Sequence, residues 1–220
     1  MDFIIKNELA TYPELGLACL PFTRDTSEIY GDDYFERYRF YEVHHEHHQR
    51  TVNINSFRKS LVDKHVKGEV IDVGCGSGTF IKMRDLNATC PQRTWGYDIN
   101  PRTIEWLKTN KRFCDPYKEE VGSIEAITMW DCLEHMEEPS KLLSRVAPGG
   151  HVFITVPLFE NLDSNEIRKS KHYKPNEHYW YFTVEGLKSL FRGFEMISHS
   201  SEEVSLGREQ VGTFVFRKNK

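Results

Sequence analysis

Residues 70–80 read Val-Ile-Asp-Val-Gly-Cys-Gly-Ser-Gly-Thr-Phe, an apolar strand running straight into a turn with glycine at alternate positions. Gly74, Gly76 and Gly78 let the backbone turn tightly and approach a ligand without Cβ clashes. Twenty residues past Gly78 a second strand ends in Asp98, and a carboxylate at such a strand tip accepts both hydroxyls of a ribose. Together the two features point to a nucleoside-bearing cofactor. A dinucleotide fingerprint requires G-x-G-x-x-G; here the pattern is Asp-x-Gly-x-Gly-x-Gly, which spells out no phosphate cradle.

From residue 52 onward, helix and strand signals alternate. Helices are expected near 52–66, 78–86, 101–110, 139–146 and 183–191, and strands near 69–73, 94–98, 112–115, 124–130, 151–156, 194–199 and 211–217. Apolar strands in such alternation indicate an α/β fold, a mainly parallel sheet with helices on both faces. The last two strands, separated by a Ser/Glu/Gly stretch, suit an antiparallel hairpin, and residues from Pro157 to about Tyr181 read as a long polar segment. Residues 1–29 read as an irregular arm. Tyr30, Tyr34, Tyr38 and Tyr41 then share one face of a helix, widened by Phe35 and Phe40, which packs on the main domain. The expected organisation is an N-terminal extension over 1–51 and a single α/β domain over 52–220.

Four segments in register resemble the motifs of the class I S-adenosylmethionine (SAM) dependent methyltransferases. Asp72-Val-Gly-Cys-Gly-Ser-Gly resembles the first motif and Trp95-Gly-Tyr-Asp98-Ile-Asn-Pro the second. Ala126-Ile-Thr-Met-Trp-Asp-Cys-Leu-Glu-His135 resembles the strand-four motif, and Ala147-Pro-Gly-Gly-His-Val-Phe-Ile-Thr-Val-Pro157 the strand-five motif. The motif style is similar to the small-molecule O-methyltransferase branch that includes ubiquinone biosynthesis. The resemblance implies a Rossmann-like seven-stranded sheet with an antiparallel last strand, SAM as methyl donor and S-adenosylhomocysteine as product. It further implies that Asp72, Gly74, Cys75, Gly76 and Gly78 hold the methionine portion, Asp98 the ribose and Ile99 one face of the adenine, which Asp115 or its neighbour Cys114 flanks. Trp130 and Asp131 would lie beside the sulfonium and amino group. In this family N-terminal helices commonly cover the cofactor, so Tyr34, Tyr38, His44 and His48 are expected at the acceptor site.

Composition limits the partners. The formal charge of −4 argues against a nonspecific nucleic-acid binder, which needs a basic face to release counterions. Five cysteines without a C-x-x-C pair, and no charged-then-apolar leader, suggest reduced thiols and a cytoplasmic location. No apolar run approaches the ~20 residues of a membrane span.

Methyl transfer from SAM is an in-line displacement, so the protein chiefly aligns donor with acceptor, and a general base helps when the acceptor is a hydroxyl. Glu177-His178-Tyr-Trp-Tyr-Phe-Thr183 resembles the family's segment at the acceptor mouth, which makes His178 the candidate base and Tyr179 and Tyr181 candidate pocket residues. Arg168 and Lys171, in a basic stretch with Lys169 and Lys174, are candidates for an acceptor phosphate or carboxylate. Asp131-x-x-Glu134-His135 resembles an element at which a divalent cation assists deprotonation in some relatives. The same string is widespread in enzymes without metal, so His135 is expected to orient its loop and no metal is assigned. His44 and His48 at i and i+4 allow zinc geometrically, but a third ligand of clear spacing is lacking.

Trp130-Asp-Cys-Leu lacks the Pro-Pro of nucleobase amino-methyltransferases, and Cys90-Pro91 reverses the Pro-Cys of cytosine C5 enzymes. The expected reaction is methylation of a hydroxyl on a small-molecule or terminal acceptor such as a sugar, nucleotide-linked sugar or quinol. The alternatives are the same chemistry on protein or nucleic acid, or a SAM or S-adenosylhomocysteine binder whose acceptor pocket is plugged.

Overall fold

The computed structural model describes residues 9–20, 29–31, 33, 36, 45–85, 93–175 and 177–220. Strands β1 (Ala10–Tyr12), β2 (Leu17–Cys19), β3 (Val70–Val73), β4 (Thr94–Tyr97), β5 (Ile124–Trp130), β6 (Val146–Pro157), β7 (Trp180–Phe182), β8 (Phe194–Ser200) and β9 (Val211–Lys218) form two sheets. The larger has the order β4-β3-β5-β6-β9-β8. Its first four strands are parallel, and β9 runs antiparallel to both β6 and β8. The helices are α1 (His45–His65), α2 (Thr79–Asp85), α3 (Pro101–Thr109), α4 (Pro139–Leu143), α5 (Ser164–Lys169), α6 (Val184–Leu190) and α7 (Glu202–Ser205). None among the described residues is long and apolar enough to cross a membrane.

The pleat divides the strands between two cores. Ile71, Val73, Ile127, Met129 and Ile154 pack with Phe214 on one face, while Val70, Ala126, Phe153 and Val215 pack against Val62 and Val66 on the other. On that second face, polar side chains replace apolar ones near the strand ends: Asp72, Thr128, Thr155 and Thr213 are all buried. Arg84, fully buried in α2, bonds Asp63, Thr94 and the Gly68 carbonyl, locking α2 to α1 and β4.

Among the described residues the sheet has six strands where seven were expected. Residues 112–115 make only one bridge, Gly96 to Phe113. Pro116 then supplies no N–H, and the Asp115 carboxylate turns back to accept from Tyr117 N at 3.1 Å, which ends the pairing. The β8–β9 connection contains α7 rather than a plain loop, and it buries Glu203. Helix α1 runs through residue 51, across the expected domain boundary.

Residues 9–20 are not irregular. They form a hairpin that adds β7 as a third antiparallel strand. The run Leu17 to Leu20 is buried, a short apolar stretch too brief to announce itself as a strand. Gly16, at φ 66°, lets the hairpin meet α6: its carbonyl accepts from Thr183 N and Oγ1, and it lies so close to Gly186 that a Cβ there would stand 1.9 Å from the Gly16 oxygen. Gly186→Ala is therefore expected to cost about 1–3 kcal/mol in urea denaturation, the usual penalty of overpacking. An unchanged midpoint would mean that the small sheet does not dock on α6 in this way.

Candidate functional site

Strand β3 ends in the Gly74–Gly78 turn, in which Gly74, Gly76 and Gly78 all have positive φ. Gly74 is required by crowding as well, since a Cβ would lie 2.6 Å from Cys132 Sγ. A Cβ on Gly76 would meet nothing within 4 Å, leaving open space beside the turn. Asp98, just past β4, accepts from Gly76 N through Oδ2 and from Asn100 N through Oδ1, each at 2.8 Å. Burial raises its pKa, and these backbone donors partly offset the rise. Asp72 accepts from Thr128 Oγ1 at 2.6 Å across the β3–β5 pairing, and burial pushes its carboxyl up to about 7. These groups border a cavity of about 910 Å³. Ile99, 48% exposed, offers it an apolar surface.

Past β5 the wall becomes charged. Asp131, at φ 56°, takes two bonds from Arg208 at 2.6 and 2.8 Å and one from Arg58 at 3.1 Å. Burial alone would raise its pKa, but the two guanidiniums hold it well below the usual carboxylate range. Arg58 also grips the buried Glu203 through two nitrogens and lies 4.9 Å over the Trp130 ring. Beyond them, Glu134, His135 and His178 each offer a ligand atom within 4.8 Å of the others.

Glu134 Oε2 and His178 Nδ1 in this cluster are buried without a hydrogen-bond partner. The rings of His135 and His178 meet edge to face at 4.7 Å. His135 Nδ1 is 2.8 Å from the Glu177 carbonyl, which only accepts, so Nδ1 carries the proton and Nε2 keeps its lone pair. Tyr30 Oη lies 2.8 Å from the same Nδ1. Burial, then the charge of Asp131, pushes Glu134 up to about 8; burial, then His135, pushes His178 down to about 2. Burial also lowers His135. Once Glu134 gives up its proton, its carboxylate and two neutral imidazoles form a donor set that suits a divalent cation.

A family profile described as "Methyltransferase domain" matches residues 36–199. The chain belongs to this methyltransferase family. Its fold is that of the class I SAM-dependent methyltransferases. The small RNA 2'-O-methyltransferase of Mus musculus is 30% identical over 116 residues, 51% of this chain and 27% of that protein. The chain thus matches about a quarter of the length of that curated relative. Among solved structures, the 1,6-didemethyltoxoflavin-N1-methyltransferase of Burkholderia thailandensis, with its substrate and S-adenosylhomocysteine bound, superposes with TM-score 0.53 at 16% identity, covering 96% of this chain and 99% of that one. A SAM-dependent methyltransferase of Mesorhizobium loti gives TM-score 0.51 at 16% identity, covering 70% and 93%.

Half of the methyltransferase's twenty sequence-derived candidates converge on the cavity: Asp72, Gly74, Cys75, Gly76, Asp98, Ile99, Trp130, Asp131, His135 and His178 all border it. Gly78 instead backs onto the Trp106 ring. Asp115 is spent on its own turn, and Tyr117 borders the cavity in its stead. Lys171 pairs with Glu209, Arg168 with the Tyr173 hydroxyl, and neither reaches the cavity wall; nor do Tyr179 and His48. Tyr181 is buried behind His178, packed on Phe159 and Tyr173. Tyr34, Tyr38 and His44 lie outside the described residues. Arg50, Ile54 and Arg58 on one face of α1 were missed, as were Tyr30, His172 and Arg208. The i, i+4, i+8 spacing on α1 was the available signal.

The raised pKa of Asp72 has a thermodynamic consequence. The folded state holds the Asp72 proton more tightly than the unfolded chain, so its stabilising contribution is present below about pH 4 and is lost as pH rises through about 7. Between these limits stability should fall by up to about 1.4 kcal/mol per pH unit. Asp72→Asn keeps an acceptor for Thr128 and should remove this slope in denaturant midpoints measured without cofactor. Parallel profiles for the two proteins would contradict the buried-acid assignment.

Proposed function

We propose that the enzyme methylates a hydroxyl oxygen with the help of a divalent cation held by Glu134, His135 and His178, and that the hydroxyl belongs to the terminal ribose of an RNA. The observation that carries the chemistry is the pair of buried, partnerless ligand atoms, Glu134 Oε2 and His178 Nδ1, in the same cavity as the glycine turn. Burying two such atoms without partners is costly, and a cation would satisfy both. The similarity to a small RNA 2'-O-methyltransferase supports the acceptor.

The donor would lie along the edge formed by β3, β4 and β5. Asp98 accepts the ribose hydroxyls, the Gly74–Gly78 turn and Asp72 take the methionine portion, Ile99 supports the adenine and Trp130 borders the sulfonium. The acceptor oxygen attacks the methyl carbon, the carbon–sulfur bond breaks, and S-adenosylhomocysteine leaves while the hydroxyl proton departs to water. A bound cation supplies the Lewis acidity that makes this hydroxyl easier to deprotonate. His178, pushed down to about 2, is a weak base and a better ligand. The Glu177 carbonyl keeps His135 in the tautomer that presents bare Nε2. The 910 Å³ cavity runs from the glycine turn past Trp130 to this cluster, which favours catalysis over a plugged binding protein.

A metabolite hydroxyl is the second reading, favoured by the net charge of −4. The test is labelled methyl transfer to an RNA oligonucleotide with a 2',3'-diol end and to the same oligonucleotide with a 2'-deoxy end. Transfer only to the first, lost with chelator and restored by Mn²⁺, is the expected result, and Glu134→Gln should lower turnover by at least about a hundredfold. Activity indifferent to chelator would remove the cation. Transfer to sugars or quinols but not RNA would replace the acceptor. Asp98→Ala should weaken SAM binding by about tenfold or more in titration calorimetry, since it deletes charge-assisted bonds.

A further inference from the structure

The acceptor side of the cavity has a wall whose chemistry the methyl transfer does not use. Arg50 and Arg58 come to it from α1, Arg208 from the segment after α7, and His172 and Lys174 from the segment after α5. Arg58 and Arg208 share the carboxylates of Asp131 and Glu203, so those two cations are balanced. Arg50 is less fully balanced. Its guanidinium donates to the Gly207 carbonyl and acts on the exposed Glu209 only from beyond ion-pair distance. Lys174 reaches Glu177 only at 3.3 Å.

Donors are also left over. Arg58 Nη1 and Arg208 Nε make no hydrogen bond within the described residues, although Arg58 is more than nine-tenths buried and borders the cavity. A protein that needed only to tie α7 to α1 would gain little from burying Glu203 and Arg58 and half-covering Asp131 and Arg208, since desolvation offsets the attraction. Such an array is more economical as a rigid frame that aims guanidinium donors into the cavity, because arginine held in place loses less entropy on binding an oxyanion. The wall adjoins the cation cluster: Arg208 and Lys174 both act electrostatically on Glu134.

The geometry points to a phosphate subsite: Arg50 and Arg208, steadied by the Asp131–Glu203 frame, bind a phosphate of the acceptor next to the hydroxyl that is methylated. This rests on the reading of a ribose acceptor given above. A nucleotide carries such a group a few bonds from its ribose hydroxyls, and the guanidinium fork matches its oxygens. The basic residues singled out in the sequence for this task, Arg168 and Lys171, are engaged elsewhere.

The test is titration calorimetry on the full chain saturated with S-adenosylhomocysteine, which occupies any site for the methionine carboxylate or adenosine of the donor. Adenosine 5'-monophosphate and adenosine are the two titrants. The monophosphate should bind at least about tenfold more tightly, as one charge-assisted contact predicts. Arg50→Gln, an exposed position, should reduce that advantage to below about threefold while leaving S-adenosylhomocysteine affinity unchanged. Arg208→Lys, which keeps a charge but loses the fork, should reduce it as well. Equal affinities for the two titrants, or an advantage that survives Arg50→Gln, overturns the subsite. An intact phosphate advantage without methylation of the RNA diol overturns the acceptor reading and leaves the subsite standing.

Discussion

Parallel pairing of β3 with β4 and β5 is the constraint from which the site follows. A sheet buried on both faces must satisfy every backbone N–H and C=O within itself, and parallel strands do so only in fixed register. Here Asp72 lies opposite Gly96 on one side and Thr128 on the other, while Val73 pairs with Tyr97. All three strands then end at the same edge, so the glycine turn, Asp98 and Trp130 meet without any of them being near the others in sequence. The same burial that fixes the register also raises the Asp72 and Asp98 carboxyls, because a charge at that edge has few water contacts.

The other half of the cavity depends on a junction between the two sheets. Glu134 and His135 lie on the short turn after β5, and His178 stands just before β7 in the small sheet. Tyr179 N donates to the Glu134 carbonyl at 2.7 Å, Trp180 Nε1 donates to the Met136 carbonyl at 2.8 Å, and Leu20 N donates to Tyr179 O at 2.9 Å. The N-terminal hairpin therefore braces the segment that carries His178. Residues 9–20, unremarkable in composition, fold into a sheet because Leu17 to Leu20 become buried where they pair with β7.

Asp131 illustrates how tertiary context redirects a motif. In Asp131-x-x-Glu-His the first carboxylate looks equivalent to the second. In the fold Asp131 is taken by Arg58 and Arg208, while Glu134 Oε2 is left without a partner beside two imidazoles. One acid is held ionised and the other pushed up to about 8, a separation set by neighbours and burial rather than by residue type.

The sequence by itself determined the α/β architecture and the methyltransferase family, and it located the glycine turn and Asp98 that border the cavity, because those rest on local facts: apolar periodicity, glycines at turns that need positive φ, and an acid at a strand end. Even there it overreached at 112–115, where propensity suggested a strand that Pro116 and the Asp115 turn cut short. The far side of the cavity was legible only in part. Motifs singled out His135 and His178, which border it, but Arg58 and Arg208, 150 residues apart in the chain, meet Asp131 only after α1 and α7 dock on the second face of the sheet. Lys171 and Arg168 drew attention through local charge, yet pairing with Glu209 and Tyr173 turned them away from the cavity. Which charge faces a ligand and which faces a neighbour depends on long-range packing, and only the tertiary structure decided it.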